Sequence, residues 1–471
     1  MSYLEGITGL WSRFLAWVIR RIPNQRQRLL VFTIVAGGLC GLAAVAFHGS
    51  IETLESLMIV RANSAPGYWW IFWTILTPAL GGLIVGLGLA YWAPAAAGSG
   101  IPQVKVAYEL RFGFISLRET VGKFVLCAVQ LGSGASLGLE GPTVQICAGV
   151  SSLLARAARL GPQYQRRMAS VGMAAGIAAA FNAPIAAITF TLEELIGDLD
   201  QMMLSGIIVA AALAAVVEHK IRGGNPIFHV PGHYELVHSS SLVWYALLGV
   251  LAAVVSVAFT ESLLWLRARF KQFTAVPKWV HPALGGLATG TLAVLGLQFF
   301  QRNGIAGDPY ATMTWALTGT MPLALMASFC VLKLAATVCS YSSGGSGGIF
   351  APSLFMGAML GGSVGWLDVT VFHHSEEAIG AFAVVGMGAV FAGIVRAPMT
   401  SILIVFEMTG GYGLILPLMI ANMSAFALAR HWRPVQVYEA LLEQDGIHLS
   451  HGGETVPLPA SPGDQTEDAT A

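Results

Sequence analysis

The chain has 471 residues, 55% hydrophobic and 11% charged, against about 25% charged in soluble domains, so an ordinary soluble protein is excluded. Its 25 basic and 25 acidic residues cancel, so net charge points neither to a nucleic-acid partner nor to a partner for an acidic tail. Five cysteines (Cys40, Cys127, Cys147, Cys330 and Cys339) fall in apolar stretches without paired metal spacing and read as small core residues rather than a disulfide framework.

In chain order, Arg13, Arg20, Arg21, Arg26 and Arg28 form a basic segment, 1–28, before the first long apolar run at 29–47. The positive-inside rule places this end in the cytoplasm. The segment is too basic and too far from a small-residue cleavage site for a signal peptide. Further apolar segments follow at 69–92, 121–137, 143–158, 170–192, 203–217, 242–265, 280–299, 321–340, 349–371, 379–395 and 397–429. Several are too short or too glycine-broken for a clean span of about 20 residues. The predicted fold is an all-α polytopic membrane protein with many tilted and discontinuous helices. Basic loops at 111–123, 156–167 and 267–278 mark the cytoplasmic side. A polar linker separates the halves 29–217 and 242–430 of a transport domain spanning 29–430. It holds His219, His229, His233 and His238. His229 and His233 have helical metal-ligand spacing, but Pro231 and Gly232 interrupt any helix between them, so a solvated loop without metal is expected. Residues 431–471 form a polar cytoplasmic tail whose end is expected to be disordered.

An internal repeat links the halves. Val171-Gly-Met through Glu193 aligns with Val385-Gly-Met through Glu407 at an offset of 214, with nine of 23 positions identical, including both Ala-Pro pairs. Paired interrupted segments in corresponding halves point to a transporter site at the repeat interface. The number of intervening spans would decide whether the repeats are inverted, and the pattern alone leaves that open.

Three glycine-rich breaks stand out: Gly98-Ser-Gly-Ile-Pro102, Gly138-Leu-Glu-Gly-Pro142 and Ser342-Ser-Gly-Gly-Ser-Gly-Gly-Ile-Phe-Ala-Pro352. Each precedes a run that can start a helix, with proline near the first turn, where its missing N–H is harmless. Helix N-termini present free N–H donors and a positive dipole end, so several converging on one point make an anion site. Glu140 sits inside the second break. A carboxylate at membrane depth costs about 2.5–3.5 kcal/mol and persists where it faces protein or water, so Glu140 is expected to carry the mechanism. Glu193 and Glu194 close the first repeat helix. Glu407 is the repeat partner of Glu193, which suggests a structural role for that pair. Glu194 aligns with Met408, so repeat symmetry does not account for it; a partly desolvated acid there suits proton entry.

As a set, Gly98-Ser-Gly-Ile-Pro102, Gly-Leu-Glu-Gly-Pro at 138–142, Ala-Phe-Asn-Ala-Pro at 180–184 and Gly-Gly-Ile-Phe-Ala-Pro at 347–352 resemble the CLC family of chloride channels and chloride/proton antiporters, in its short bacterial form. The resemblance runs from about residue 30 to about residue 440. It implies two inverted halves and a homodimer in the lipid bilayer of the inner membrane, with one pathway per subunit and both termini cytoplasmic. It implies an anion site made by Ser99 with Gly100 and Ile101, by the main chain of Ile349 and Phe350, and by the hydroxyl of Tyr438. It makes Glu140 a protonatable gate and Glu194 the inner proton-transfer group. An acid at 194 favours an antiporter over a passive channel, the alternative function. No cofactor is implied beyond transported chloride and protons, and no enzymatic activity. Ser99 and Pro142 set the chain apart from fluoride exporters, and a nitrate-preferring filter would carry proline at 99. The family pattern commonly has Arg or Lys where this chain has Leu139, so a positive charge beside Glu140 is missing.

One remote rival remains. Gly344-Gly-Ser346-Gly resembles the nucleophile turn of rhomboid intramembrane proteases, but a serine nucleophile needs a base within reach. His48, His281 and His373 sit only at the edges of apolar spans.

Overall fold

A computed structural model describes residues 22, 25–196, 201–223, 227–228, 234, 240–300 and 303–449. His229, His233 and His238, most of the basic segment 1–28, and 450–471 lie outside these residues. The described chain is helical: α1 (Gln25–Leu57), α2 (Ile59–Asn63), α3 (Trp69–Tyr91), α4 (Ile101–Leu110), α5 (Leu117–Gly132), α6 (Glu140–Ala157), α7 (Pro162–Phe181), α8 (Pro184–Thr191), α9 (Gln201–Arg222), α10 (Ser241–Gln272), α11 (His281–Phe300), α12 (Tyr310–Leu317), α13 (Leu323–Ser342), α14 (Phe350–Phe372), α15 (Glu377–Val395), α16 (Pro398–Thr409), α17 (Ile415–Trp432) and α18 (Val437–Gln444). Among the described residues, eight helices are long and apolar enough to cross a membrane, and the protein is an integral membrane protein. Shorter helices, α4, α8, α12 and α16, interrupt the long spans, and of these α4 follows one of the glycine-rich breaks.

The order α6–α7–α8 in the first half recurs as α14–α15–α16 in the second. The turn from α7 to α8 matches the turn from α15 to α16 residue for residue. α7 stops at Asn182 and α15 at Arg396, both left-handed (φ 48° and 67°) and 214 positions apart. Asparagine tolerates that conformation; arginine rarely adopts it. Arg396 is held there by its own side chain, which donates to the carbonyls of Gly393 (2.9 Å), Ala429 (2.7 Å) and Arg433 (2.8 Å). Ala183 and Ala397 then extend the chain, and Pro184 and Pro398 open the next helices, as a pre-proline residue and an N-terminal proline should.

Glycine allows the close crossings at the centre. A Cβ on Gly176 of α7 would lie 2.9 Å from Val144 Cα on α6, and one on Gly365 of α14 would lie 2.8 Å from Phe382 Cβ on α15. Where no hydrophobic force drives helices together in lipid, such backbone approach is the main packing device.

The repeat glutamates join the halves. Glu407 accepts hydrogen bonds from Ile185 N (3.1 Å) and Ala186 N (2.7 Å) at the start of α8. Glu193 accepts from Met399 N (3.1 Å) and Thr400 N (2.9 Å) at the start of α16. Each half thus caps the other's orphan helix donors, which gives the pair the structural role expected of it. Replacing Glu407 by Ala should cost about 1–3 kcal/mol of stability, read as a lower melting temperature in detergent with the pH profile of ion flux unchanged.

Three expectations need correction. The apolar run 397–429 is two helices, because Gly410 (φ 68°) ends α16 and α17 begins at Ile415. Lys123, placed in a basic surface loop, is fully buried on α5 and donates to the carbonyls of Ala96 (2.9 Å) and Gly98. Within the polar stretch 431–471, Val437–Gln444 folds back as α18 and buries Tyr438 completely.

Candidate anion and proton site

The three breaks meet and pair with one another. Gly98 bridges to Ser346, and Gly138 to Gly348. Gly98 N donates to Gly345 O (2.9 Å) and Gly347 N to Gly98 O (3.1 Å); Gly138 and Gly348 exchange both bonds at 2.8 and 2.6 Å. Irregular backbone at membrane depth is tolerable only when satisfied inside the protein, and here each half satisfies the other. Only glycine fits at 100. Its φ is 101°, and a Cβ would sit 2.7 Å from Gly141 O, so the start of α4 lies directly against the start of α6.

From these junctions α4, α6 and α14 begin at Ile101, Glu140 and Phe350. Glu140 is wholly buried. Its Oε2 accepts from Ala351 N at 3.4 Å in the first turn of α14, and its Oε1 accepts from the Tyr310 hydroxyl at 2.8 Å. The carboxylate therefore lies at the N-terminus of α14, where the helix dipole favours negative charge. Beside it, Ile349 and Phe350 lend their N–H groups to no hydrogen bond among the described residues. The Phe350 ring is locked by Phe181, Phe190 and Phe391 at centroid distances of 5.8, 5.3 and 4.8 Å.

Ser99 and Tyr438 are both fully buried, and neither hydroxyl has a hydrogen-bond partner within normal geometry among the described residues. An unmade hydrogen bond on a buried polar group costs about 1–3 kcal/mol, and such groups need an explanation. The two side chains are near enough to act on each other, and both Glu194 and Glu140 act electrostatically on the Tyr438 hydroxyl. Tyr341 on α13, which sequence reasoning missed, accepts from Ser99 N at 3.3 Å. A cavity of about 340 Å³ adjoins this point, walled by Gly98, Gln103, Arg111, Gln145, Arg267 and Tyr341 among others.

Glu194 lies in a single π turn, Leu192–Ile196, that follows α8; such turns cluster at functional sites. Its buried carboxylate pairs with Lys105 of α4 at 2.9 Å, and Lys105 also faces Glu439 of α18 at 3.8 Å. Lys105 was likewise missed. No local pattern marks it, because its helix also carries Gln103 and Glu109 and a lysine among them reads as an ordinary polar position. Leu139, the position without its expected cation, packs in an apolar cluster with Phe47, Cys127 and Ile146. The serine of the protease-like turn, Ser346, donates to Ala96 O at 2.7 Å and so serves the break itself.

A membrane protein whose paired helix breaks close on buried hydroxyls and a buried carboxylate belongs, as a class, with polytopic ion-transport folds. Residues 81–430, 350 of the 471, match the voltage gated chloride channel family model, and the chain belongs to this family, the CLC proteins. It is 31% identical over 434 residues to proteins named H(+)/Cl(-) exchange transporter ClcA from Salmonella paratyphi A and Salmonella typhimurium, covering 90% of this chain and 90% of each relative. A slow cyanobacterial Cl-/H+ antiporter superposes with a TM-score of 0.81 at 26% identity, over 89% of this chain and 98% of its own. A CLC-type fluoride/proton antiporter shares the fold, with a TM-score of 0.73 at 23% identity over 88% of this chain and 97% of its own.

Proposed function

We propose that the protein exchanges chloride for protons across the membrane as a secondary active antiporter. The observation that carries this reading is that the buried Tyr438 hydroxyl, beside Ser99, lies within electrostatic reach both of Glu140 at the N-terminus of α14 and of the buried Glu194. Chloride is held by Ser99 and Tyr438 hydroxyls with the backbone of Gly100, Ile101, Ile349 and Phe350. These are neutral donors, and neutral donors bind a monovalent anion without trapping it. Ionised Glu140 takes an anion's place; protonated, it loses the attraction of the helix end and swings aside. Glu194 passes protons on the inner side, and the 340 Å³ cavity with Arg111 and Arg267 in its wall is the anion's inner mouth. The exchange names of the curated relatives, and the acid at 194, support an antiporter over a channel.

The same reading makes the protein a homodimer of subunits with inverted halves, a pathway in each, both termini cytoplasmic, and no enzymatic activity or cofactor. In reconstituted membranes the zero-current voltage should move with both the chloride and the pH gradient. A voltage that follows chloride alone would make the protein a passive channel.

A further inference from the structure

Leu139 brings no charge to the gate carboxylate, which meets one backbone donor at Ala351 N and one side-chain donor at Tyr310. We propose that Tyr310 is its positioning residue, supplying by a neutral hydroxyl the contact that a neighbouring cation would otherwise make. The inference rests on the reading of Glu140 as the gate.

Tyr310 opens α12, far from every motif in the sequence, yet its hydroxyl donates to Glu140 Oε1 at 2.8 Å. The rest of the residue is fixed. Tyr310 N donates to Asp308 Oδ1 at 3.1 Å, Asp308 N donates to Glu55 Oε1 of α1 at 2.7 Å, and the ring packs on Phe228 at 5.6 Å. The hydroxyl is thus held by its own backbone, by a neighbouring loop and by a helix of the other half.

Other charged and titratable groups around Glu140 do not make this contact. Asp308 and Glu55 share with it a cavity of about 20 Å³, room for about one water, and both are acids. Cys127 of α5 and Tyr438 of α18 act on it only electrostatically. Lys333 of α13 is a cation within electrostatic reach among the described residues, and its ammonium is bonded to the carbonyls of Gly304 (3.0 Å) and Ile305 (3.2 Å) instead.

A phenol differs from a cation in one useful way: it can donate to an ionised carboxylate and accept from a protonated one. Donation to the ionised form is the stronger bond, so Tyr310 favours the closed, ionised gate. Removing the hydroxyl should let protonation open the gate at higher pH.

The test is initial chloride efflux against pH from liposomes holding the full-length protein. Tyr310→Phe should move the midpoint upward by about one pH unit, the scale of one charge-assisted hydrogen bond. Adding Leu139→Arg to that variant should move it back down, because a cation favours the ionised acid. In a Glu140→Gln background Tyr310→Phe should change nothing further. An unmoved midpoint in a variant that elutes as the wild type does, or an equal change in flux with and without Glu140, would overturn the proposal. Should Glu140→Gln itself keep coupled, pH-dependent flux, the gate reading fails and takes this one with it. A pH-insensitive Glu140→Gln beside an unmoved Tyr310→Phe removes Tyr310 alone.

Discussion

Glu140→Gln should transport chloride at a rate that no longer depends on pH, and should carry no protons above the leak of protein-free liposomes. The amide has nearly the shape of the acid but cannot ionise, so it mimics the protonated gate permanently. In the wild type the carboxylate lies against Ala351 N and the Tyr310 hydroxyl, a position whose attraction depends on negative charge. Without that charge the side chain has no reason to compete with chloride, and one cycle no longer moves a proton with the anion. Counting protons and chloride in the same vesicles checks this; pH-dependent, coupled transport in the variant would remove Glu140 from the gate.

The second large effect should come from Glu194→Gln, with proton transport lost and chloride flux retained. The substitution leaves the anion site's residues in place, and Lys105 keeps a carboxylate neighbour in Glu439 at 3.8 Å. That neighbour matters, because breaking a buried pair outright costs about 3–5 kcal/mol through the stranded charge. The fold should therefore survive, which equal expression and elution volume would show. Persistent proton pumping in this variant would mean that protons enter by another group.

Glu140 and the paired breaks were legible because glycine and proline in an apolar chain have few other uses, and because the Val-Gly-Met and Ala-Pro repeat ties the two halves together. The pairing of Glu193 with Glu407 followed from the same repeat, and reciprocal helix capping explains it. Ser99 lies inside a break, but its role as an anion ligand came from the family resemblance. Tyr438 was not visible from local pattern, since it lies on an eight-residue helix in polar sequence; only the family resemblance pointed to it.

Tyr310, Tyr341, Lys105 and Lys123 were missed for one physical reason. Each acts on a partner remote in sequence: 170 residues for Tyr310 and Glu140, 242 for Tyr341 and Ser99, 89 for Lys105 and Glu194, 25 for Lys123 and Gly98. None sits in a glycine break, so periodicity and motif spacing carry no trace of them. Lys123 was misplaced because a lysine near other basic residues reads as a surface charge. Here it is spent on two carbonyls that the broken backbone leaves without helical partners.

The central claim, that chloride and protons are exchanged through one pathway, is tested most directly by recording both ions at once. Liposomes containing the wild-type protein would be given an outward chloride gradient with no pH gradient, and chloride efflux and external pH followed together. Exchange predicts that chloride leaving drives protons inward, so that the outside turns alkaline against the proton gradient it builds, and that both signals stop together when the chloride gradient is removed. Chloride efflux with no uphill proton movement would contradict it.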